Sequence, residues 1–141
     1  MTGKVDNAYA LTRPPGHHAE RDRGRGFCIF GNVALSVLEA RANKQVERVA
    51  VVDWDVHHGN GTQDIFYKRD DVLFASLHGD PMDAFPHFLG HADEVGEGKG
   101  AGFNHNYPMP PGTIFETWRA ALKDALAKVA AYKPDALIVS L

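Results

Sequence analysis

Arg48-Val49-Ala50-Val51-Val52-Asp53-Trp54-Asp55-Val56-His57-His58-Gly59-Asn60-Gly61-Thr62 is the stretch that decides the fold. Its apolar residues fill both alternating faces, which reads as a buried strand over 48–52 of the kind found in parallel sheets between helices. The mostly polar run from Asp53 to Thr62 falls at the carboxyl end of that strand, the edge where α/β proteins bind their ligands. If extended geometry persists, Asp53, Asp55 and His57 project to one face, because side chains alternate with period two. Three ionisable groups on one face are costly to bury without partners, and a bound cation would supply them. Carboxylate oxygen with imidazole nitrogen suits a divalent transition metal, zinc first and iron(II) or cobalt next. The plainer reading is a strand end capped by a hydrogen-bonded Asp–His pair. A lone D-x-H would favour that reading; D-x-D-x-H-H-G on a strand end favours the metal.

Outward from this strand, the pattern alternates helix and strand. A helix is expected from Gly31-Asn32 to about Ala42, with Asn32 as N-cap and Val33/Val37 and Ala34/Leu38 as apolar pairs. Thr62 to Arg69 reads as a short helix and Val72 to Leu77 as a second strand. His78 to Pro111 is long, rich in Gly and Pro and weakly periodic, as functional loops often are. Thr113-Ile114-Phe115-Glu116 has the form of a capping box that opens a helix. Ile114, Trp118, Leu122, Ala125 and Val129 make its apolar stripe, and Lys133-Pro134 ends it. A third strand starts at Pro134-Asp135. The expected class is therefore α/β with a parallel sheet flanked by helices.

The composition narrows the function. The chain has 141 residues, 44% of them hydrophobic, which suffices for one globular domain and excludes a disordered one. A net charge of −3 argues against nucleic acid or an anionic membrane as direct partner. No apolar run reaches the roughly 20 residues of a membrane span, and the first ten residues carry no leader-like apolar segment. One cysteine, Cys28, excludes a disulfide framework and fits a reducing compartment. A soluble, cytoplasmic chain is expected. Oligomeric state is left open by the sequence.

A second segment, Arg13-Pro14-Pro15-Gly16-His17-His18, supplies two adjacent histidines suited to acid–base work near neutral pH. Alone, such a pair is usually structural; beside a metal-like cluster it becomes a candidate catalytic pair. Asp53 and Asn60 are then candidates to orient His17 and His18 through their far ring nitrogens. Phe27 could line an apolar channel or belong to the core. Cys28 reads as a small buried hydrophobe. His87, His91 and His105 read as solvated or structural, while His78, just past the second strand, has a better claim to lie near the site.

Together these segments resemble the zinc-dependent histone deacetylase and acetylpolyamine amidohydrolase family. The matching motifs are RPPGHHAE at 13–20, GFC at 26–28, VDWDVHHGNGT at 52–62, SLHGDP at 76–81 and FLGHADEVGEGKGAGFNHN at 88–106, in the family's order. The wording is similar to the class II and bacterial branch, nearer to the acetylpolyamine amidohydrolases than to the class I enzymes. The resemblance implies an arginase-like three-layer α/β fold and hydrolysis of an acetylated amine, acetyl-lysine or acetylpolyamine. It makes Asp55 and His57 zinc ligands, His18 the general base and His17 the electrostatic partner for the oxyanion. Asp53 stands behind His17, and Asn60 behind His18, where class I members carry Asp. Gly26, Phe27 and Phe88 match the substrate channel, with Phe85 a near alternative to Phe88. Asp53, Asp55, His57, Ser76 and Leu77 match a structural potassium or sodium site. Phe66, Arg69, Val72 and Phe103 match a second one more loosely.

The same resemblance implies parts that these residues do not contain. The family's third zinc ligand, an aspartate, and its oxyanion-stabilising tyrosine would follow the strand that reaches Leu141. The expectation is accordingly that residues 1–141 are the central fragment of one deacetylase-like catalytic domain, incomplete for catalysis alone. Two other readings compete with it. A binuclear manganese hydrolase of the arginase kind would need a carboxylate at the position of Gly59. A catalytically inactive acyl-amine or protein-binding module on the same fold is disfavoured by the intact His17, His18, Asp55 and His57.

Overall fold

The first strand, β1 (Val49–Asp53), is buried along its whole length. It is flanked in a four-stranded, all-parallel sheet by β2 (Val72–Gly79) and β4 (Ala136–Ser140), and β3 (Asn104–Met109) lies beyond β2, giving the order β3-β2-β1-β4. The computed structural model describes residues 6–141, so the reading of Met1–Val5 as free of a leader lies outside the described residues.

Alternation along β1 and β2 divides the core in two. Val49, Val51, Val72 and Phe74 pack with Ala34 and Val37 of helix α1 (Asn32–Ala42) and with Phe66 of α2 (Asn60–Phe66). Ala50, Val52, Leu73, Ala75 and Leu77 pack on the opposite face with Ala125, Val129 and Tyr132 of α3 (Phe115–Tyr132). Fully burying a Val or Leu side chain is worth about 1.5–3 kcal/mol, so a strand buried on both faces makes a rigid platform for whatever sits at its end. α3 leaves part of β4 uncovered: Leu137 and Val139 are 49% and 41% exposed. Among the described residues no helix is long and apolar enough to cross a membrane.

The elements differ from the expected ones where side chains bond across the chain. β3 lies inside the stretch expected to be a loop. Its inward positions are Asn104 and Asn106, whose amides bond to the Gln63 side chain and to the segment around Glu94 instead of packing on apolar neighbours, so no hydrophobic alternation marks it. Pro108 is tolerated because β3 is at the edge of the sheet. Asn32 is not the N-cap of α1; Gly31 is, and the Asn32 amide donates to Pro14 O and Thr12 Oγ1, tying the helix to the His17 loop. The capping box does not form: Thr113 Oγ1 donates to Pro110 O, and the N-cap position is Ile114. α3 does end at Lys133, which takes the left-handed conformation before Pro134.

α2 starts two residues earlier than expected, at Asn60. Helix starts leave N–H groups without intrahelical acceptors. Here the carbonyl of His17 accepts from Gly61 N at 2.9 Å and Thr62 N at 3.3 Å. The backbone of the His-His loop is therefore the cap of the helix that carries Asn60.

Candidate active site

Three segments converge at the carboxyl edge of the sheet: the His17–His18 loop, the β1–α2 connection, and the loop after β2. Their meeting depends on close backbone approach. A Cβ on Gly61 would lie 2.2 Å from Ala19 O, and one on Gly26 would lie 2.2 Å from His18 Cδ2. Only glycine lets α2 and the 26–28 loop close on the two histidines.

The histidine rings lie 3.9 Å apart, centroid to centroid, and each is held through Nδ1. His17 Nδ1 donates to Asp53 Oδ2 at 2.8 Å, and His18 Nδ1 donates to Asn60 Oδ1, also at 2.8 Å. Asp53 and Asn60 are fully buried, while His17 and His18 are nearly so. The two partners differ in charge, and the rings respond. Burial lowers the proton affinity of His17, but the hydrogen bond and charge of Asp53, aided by Asp55, outweigh it and raise its pKa above 6.5. For His18, burial and then the charge of His17 prevail over the neutral Asn60 bond, and the pKa falls below 6.5. Neighbouring titratable groups pushed apart in this way mark an acid and a base assignment.

Extended geometry stops at Asp53, so the expectation that Asp53, Asp55 and His57 share one strand face fails. The chain turns because Asp53 Oδ1 accepts from Asp55 N and Asp55 Oδ1 accepts from His57 N. Asp53 is consequently buried beneath His17, while the Asp55 and His57 side chains are 32% and 46% exposed. Asp55 Oδ1 lies 3.4 Å from His57 Nδ1 and 4.0 Å from His17 Nε2. Among the described residues, no group of three His, Cys, Asp or Glu side chains is gathered closely enough to hold a metal. Asp55 and His57 are a pair of donors of the right chemistry, without a third.

The aromatic beside these rings is Phe85, not Phe88. Phe85 meets His18 edge-on at 4.9 Å and His57 at 6.2 Å, whereas Phe88 is 75% exposed. Phe27 is not core: it is 93% exposed and holds φ +66, a left-handed value a bulky residue adopts only when its surroundings enforce it. Cys28 is buried, and burial pushes its thiol pKa up, which leaves it inert.

His78 lies near enough to feel the charge of Asp53 but is hydrogen-bonded to neither histidine of the pair. It accepts from Ser76 Oγ through Nδ1, donates to Gly90 O through Nε2, and lies 4.5 Å from His58 with the two rings tilted by 55°. His58, to which no sequence pattern assigned a role, is fully buried and donates to Gln63 Oε1. Burial, then the adjacent His78, push its pKa down to about 3, so the pair is a neutral support beneath the site. Ser76 stands beside Asp53 in the β1–β2 ladder. At the looser cation position, the Phe66 and Phe103 carbonyls already accept from Arg69 N and Phe74 N. Cavities of about 550 and 920 Å3 lie elsewhere, and neither is lined by His17, His18, Asp55 or His57.

Known proteins share this sequence and fold. The model of the histone deacetylase domain matches residues 1–141. Acetylpolyamine amidohydrolase 1 of Pseudomonas aeruginosa is 56% identical over 135 residues, 96% of this chain and 39% of that protein. A histone deacetylase of Saccharomyces cerevisiae is 42% identical over 146 residues, covering 99% of this chain and 21% of its own length. The crystal structure of acetylpolyamine aminohydrolase from Burkholderia pseudomallei superposes with a TM-score of 0.91 at 48% identity, over 95% of this chain and 39% of that one. The parallel sheet between helices is thus the arginase-like α/β arrangement of these enzymes, and the chain spans about two fifths of the length of the acetylpolyamine amidohydrolases it matches. By the match along its whole length, the chain belongs to the histone deacetylase family.

Proposed function

We propose that the whole protein containing this chain is a metal-dependent amide hydrolase that removes acetyl or similar acyl groups from acetyl-lysine or acetylated polyamines. The observation that carries this is the His17–His18 pair: rings 3.9 Å apart with oppositely shifted proton affinities, beside Asp55 and His57. The names of the relatives, acetylpolyamine amidohydrolases and histone deacetylases, support an acetylated amine as substrate.

The donor set fits a zinc ion in part. Asp55 Oδ1 and His57 Nδ1 would be two of its ligands, and the resemblance makes the third an aspartate. Iron(II) or cobalt would suit the same donors. When bound, the metal supplies Lewis acidity toward the amide carbonyl and lowers the pKa of water. His18, with Nδ1–H committed to Asn60, offers the Nε2 lone pair to take the proton of the attacking water. It then returns that proton from Nε2 to the nitrogen of the leaving amine. His17, whose proton affinity Asp53 raises, stabilises negative charge growing on the carbonyl oxygen. Phe27 and Phe85, with Gly26 admitting the loop to His18, would form the apolar entrance for a thin acyl-amine. A potassium or sodium ion held by backbone oxygens of Asp53, Asp55, His57 and Leu77 and by Ser76 would stiffen the turn beneath. A cytoplasmic site of action fits the free, buried Cys28.

Zinc titration with an acetyl-lysine peptide and acetylated polyamines tests this. The metal-loaded whole protein is expected to release acetate and lose activity to a chelator, while the isolated 141-residue chain binds zinc weakly and turns over little. Absence of turnover by the loaded whole protein overturns the enzyme reading. Full activity from the isolated chain overturns the fragment reading.

A further inference from the structure

Asn60 is gripped from both sides by one loop. Its Oδ1 accepts from His18 Nδ1 at 2.8 Å, and its Nδ2 donates to Glu20 Oε1 at 2.9 Å, with a longer bond to the His18 carbonyl at 3.4 Å. Glu20 is itself held: its N–H donates to Arg23 O, and Arg25 Nε lies 2.8 Å from the same Oε1 as an ion pair. The Glu20 side chain is 15% exposed and Asn60 is fully buried.

An amide has two unlike ends. Turned one way, Asn60 accepts from His18 and fixes the proton on Nδ1, leaving Nε2 free. Turned the other way, its NH2 would face His18, require a lone pair on Nδ1 and place the proton on Nε2. A histidine with Nε2 protonated at rest cannot take a proton from water there. A carboxylate at this position would have two equivalent oxygens and no such choice. The His–Asn arrangement therefore needs something to choose the amide's orientation, and a carboxylate that accepts but cannot donate is suited to it.

We propose that Glu20 is a positioning residue that sets the tautomer of His18 by orienting the Asn60 amide. This rests on the reading of His18 as the acid–base group. The buried Nδ2 of Asn60 takes the charged acceptor, so the Oδ1 end is left for His18. Arg25, 2.8 Å away, keeps the Glu20 carboxylate in place.

Glu20→Gln and Glu20→Met, made in the whole protein, separate this role from a structural one. Both remove the charge and the Arg25 pair; only glutamine keeps an acceptor oxygen for Asn60. E20Q is expected to stay within about 3-fold of the parent in kcat. E20M is expected to lose about 10- to 100-fold in kcat with KM within about 2-fold, the loss expected for one charged hydrogen bond. In the 15N spectrum of histidine-labelled protein, His18 should move from the Nδ1–H toward the Nε2–H tautomer in E20M alone. On an Asn60→Asp background, where no amide remains to orient, the E20M change should cost less than about 3-fold. Equal kcat in E20Q and E20M with an unchanged tautomer overturns the proposal, as does an equal cost of E20M on both backgrounds. The tautomer readout needs no turnover, so inactivity of the parent protein would sink the hydrolase reading while still deciding the role of Glu20.

Discussion

His17 and His18 are neighbours in sequence with rings 3.9 Å apart, yet one rests on a buried carboxylate and the other on a buried amide. The difference in partner helps to raise the proton affinity of His17 while that of His18 falls. Replacing Asp53 by Asn erases it. D53N is expected to lower the proton affinity of His17 and reduce kcat roughly 100-fold, within the range for a lost acid–base contribution. Steady-state kinetics with the His17 shift followed by NMR checks this; unchanged kcat would show that the charge on His17 is not used.

Gly61 joins the histidine loop to α2. Its N–H donates to the His17 carbonyl, and a methyl group there would overlap backbone atoms of Ala19, at 2.2 Å from O and 2.5 Å from C. Backbone cannot swing aside as a flexible side chain can. Gly61→Ala is expected to destabilise the protein by at least about 2 kcal/mol and to lower activity, because His17 and His18 must move away from Asp53 and Asn60. Urea denaturation alongside activity measures both; a neutral substitution would refute the close-approach argument.

The two loop phenylalanines should differ sharply. Phe85 packs edge-on against His18 and His57, whereas Phe88 is 75% exposed. Phe85→Ala is expected to raise KM for an acetylated amine about 10-fold, from lost apolar contact with the acyl chain. Phe88→Ala should change it less than about 2-fold. The reverse ranking in steady-state kinetics would put Phe88 at the entrance after all.

Much of this was legible because it follows from local chemistry. The apolar run of β1 declared a strand buried on both faces, and the HH, D-x-H and G-N-G patterns named the polar groups at its end. What stayed hidden depends on partners far along the chain. Asn104 and Asn106 line a strand with amides that find Gln63, Glu94 and His91 rather than apolar neighbours, so no periodicity announces β3. Thr113 and Asn32 have good capping side chains, but tertiary acceptors at Pro110 and Pro14 took them. The turn after Asp53 is made by side-chain oxygens accepting backbone N–H groups, which broke the period-two argument for Asp55 and His57. Glu20 carried no signal by itself, since its role exists only once Asn60, forty residues later, is folded against it.

Asp71, in the connection that enters β2, ties that connection to Arg41 of α1 and contributes to the acid sensitivity of stability. Arg69 donates to it through two nitrogens at 2.8 and 2.7 Å, and Arg41 of α1 reaches it at 2.7 Å. The Arg69 hydrogen bonds, opposed by burial and helped by the charges of Arg69 and Arg41, hold the carboxyl below 3.8. A carboxyl depressed in the folded state contributes stability that is complete above its unfolded value and is lost as pH falls through the folded value. Asp71→Asn is therefore expected to cost about 1 kcal/mol at neutral pH, the scale of a charge-assisted hydrogen bond near the surface. The gap between parent and D71N should begin to close as pH falls below about 4, where the unfolded carboxyl takes up its proton, and should vanish only once the folded carboxyl, held lower, is protonated as well. Denaturant titrations at neutral pH and at successive acidic values measure this difference directly. A gap that stays constant across that range would mean that the carboxylate acts through packing rather than through its charge.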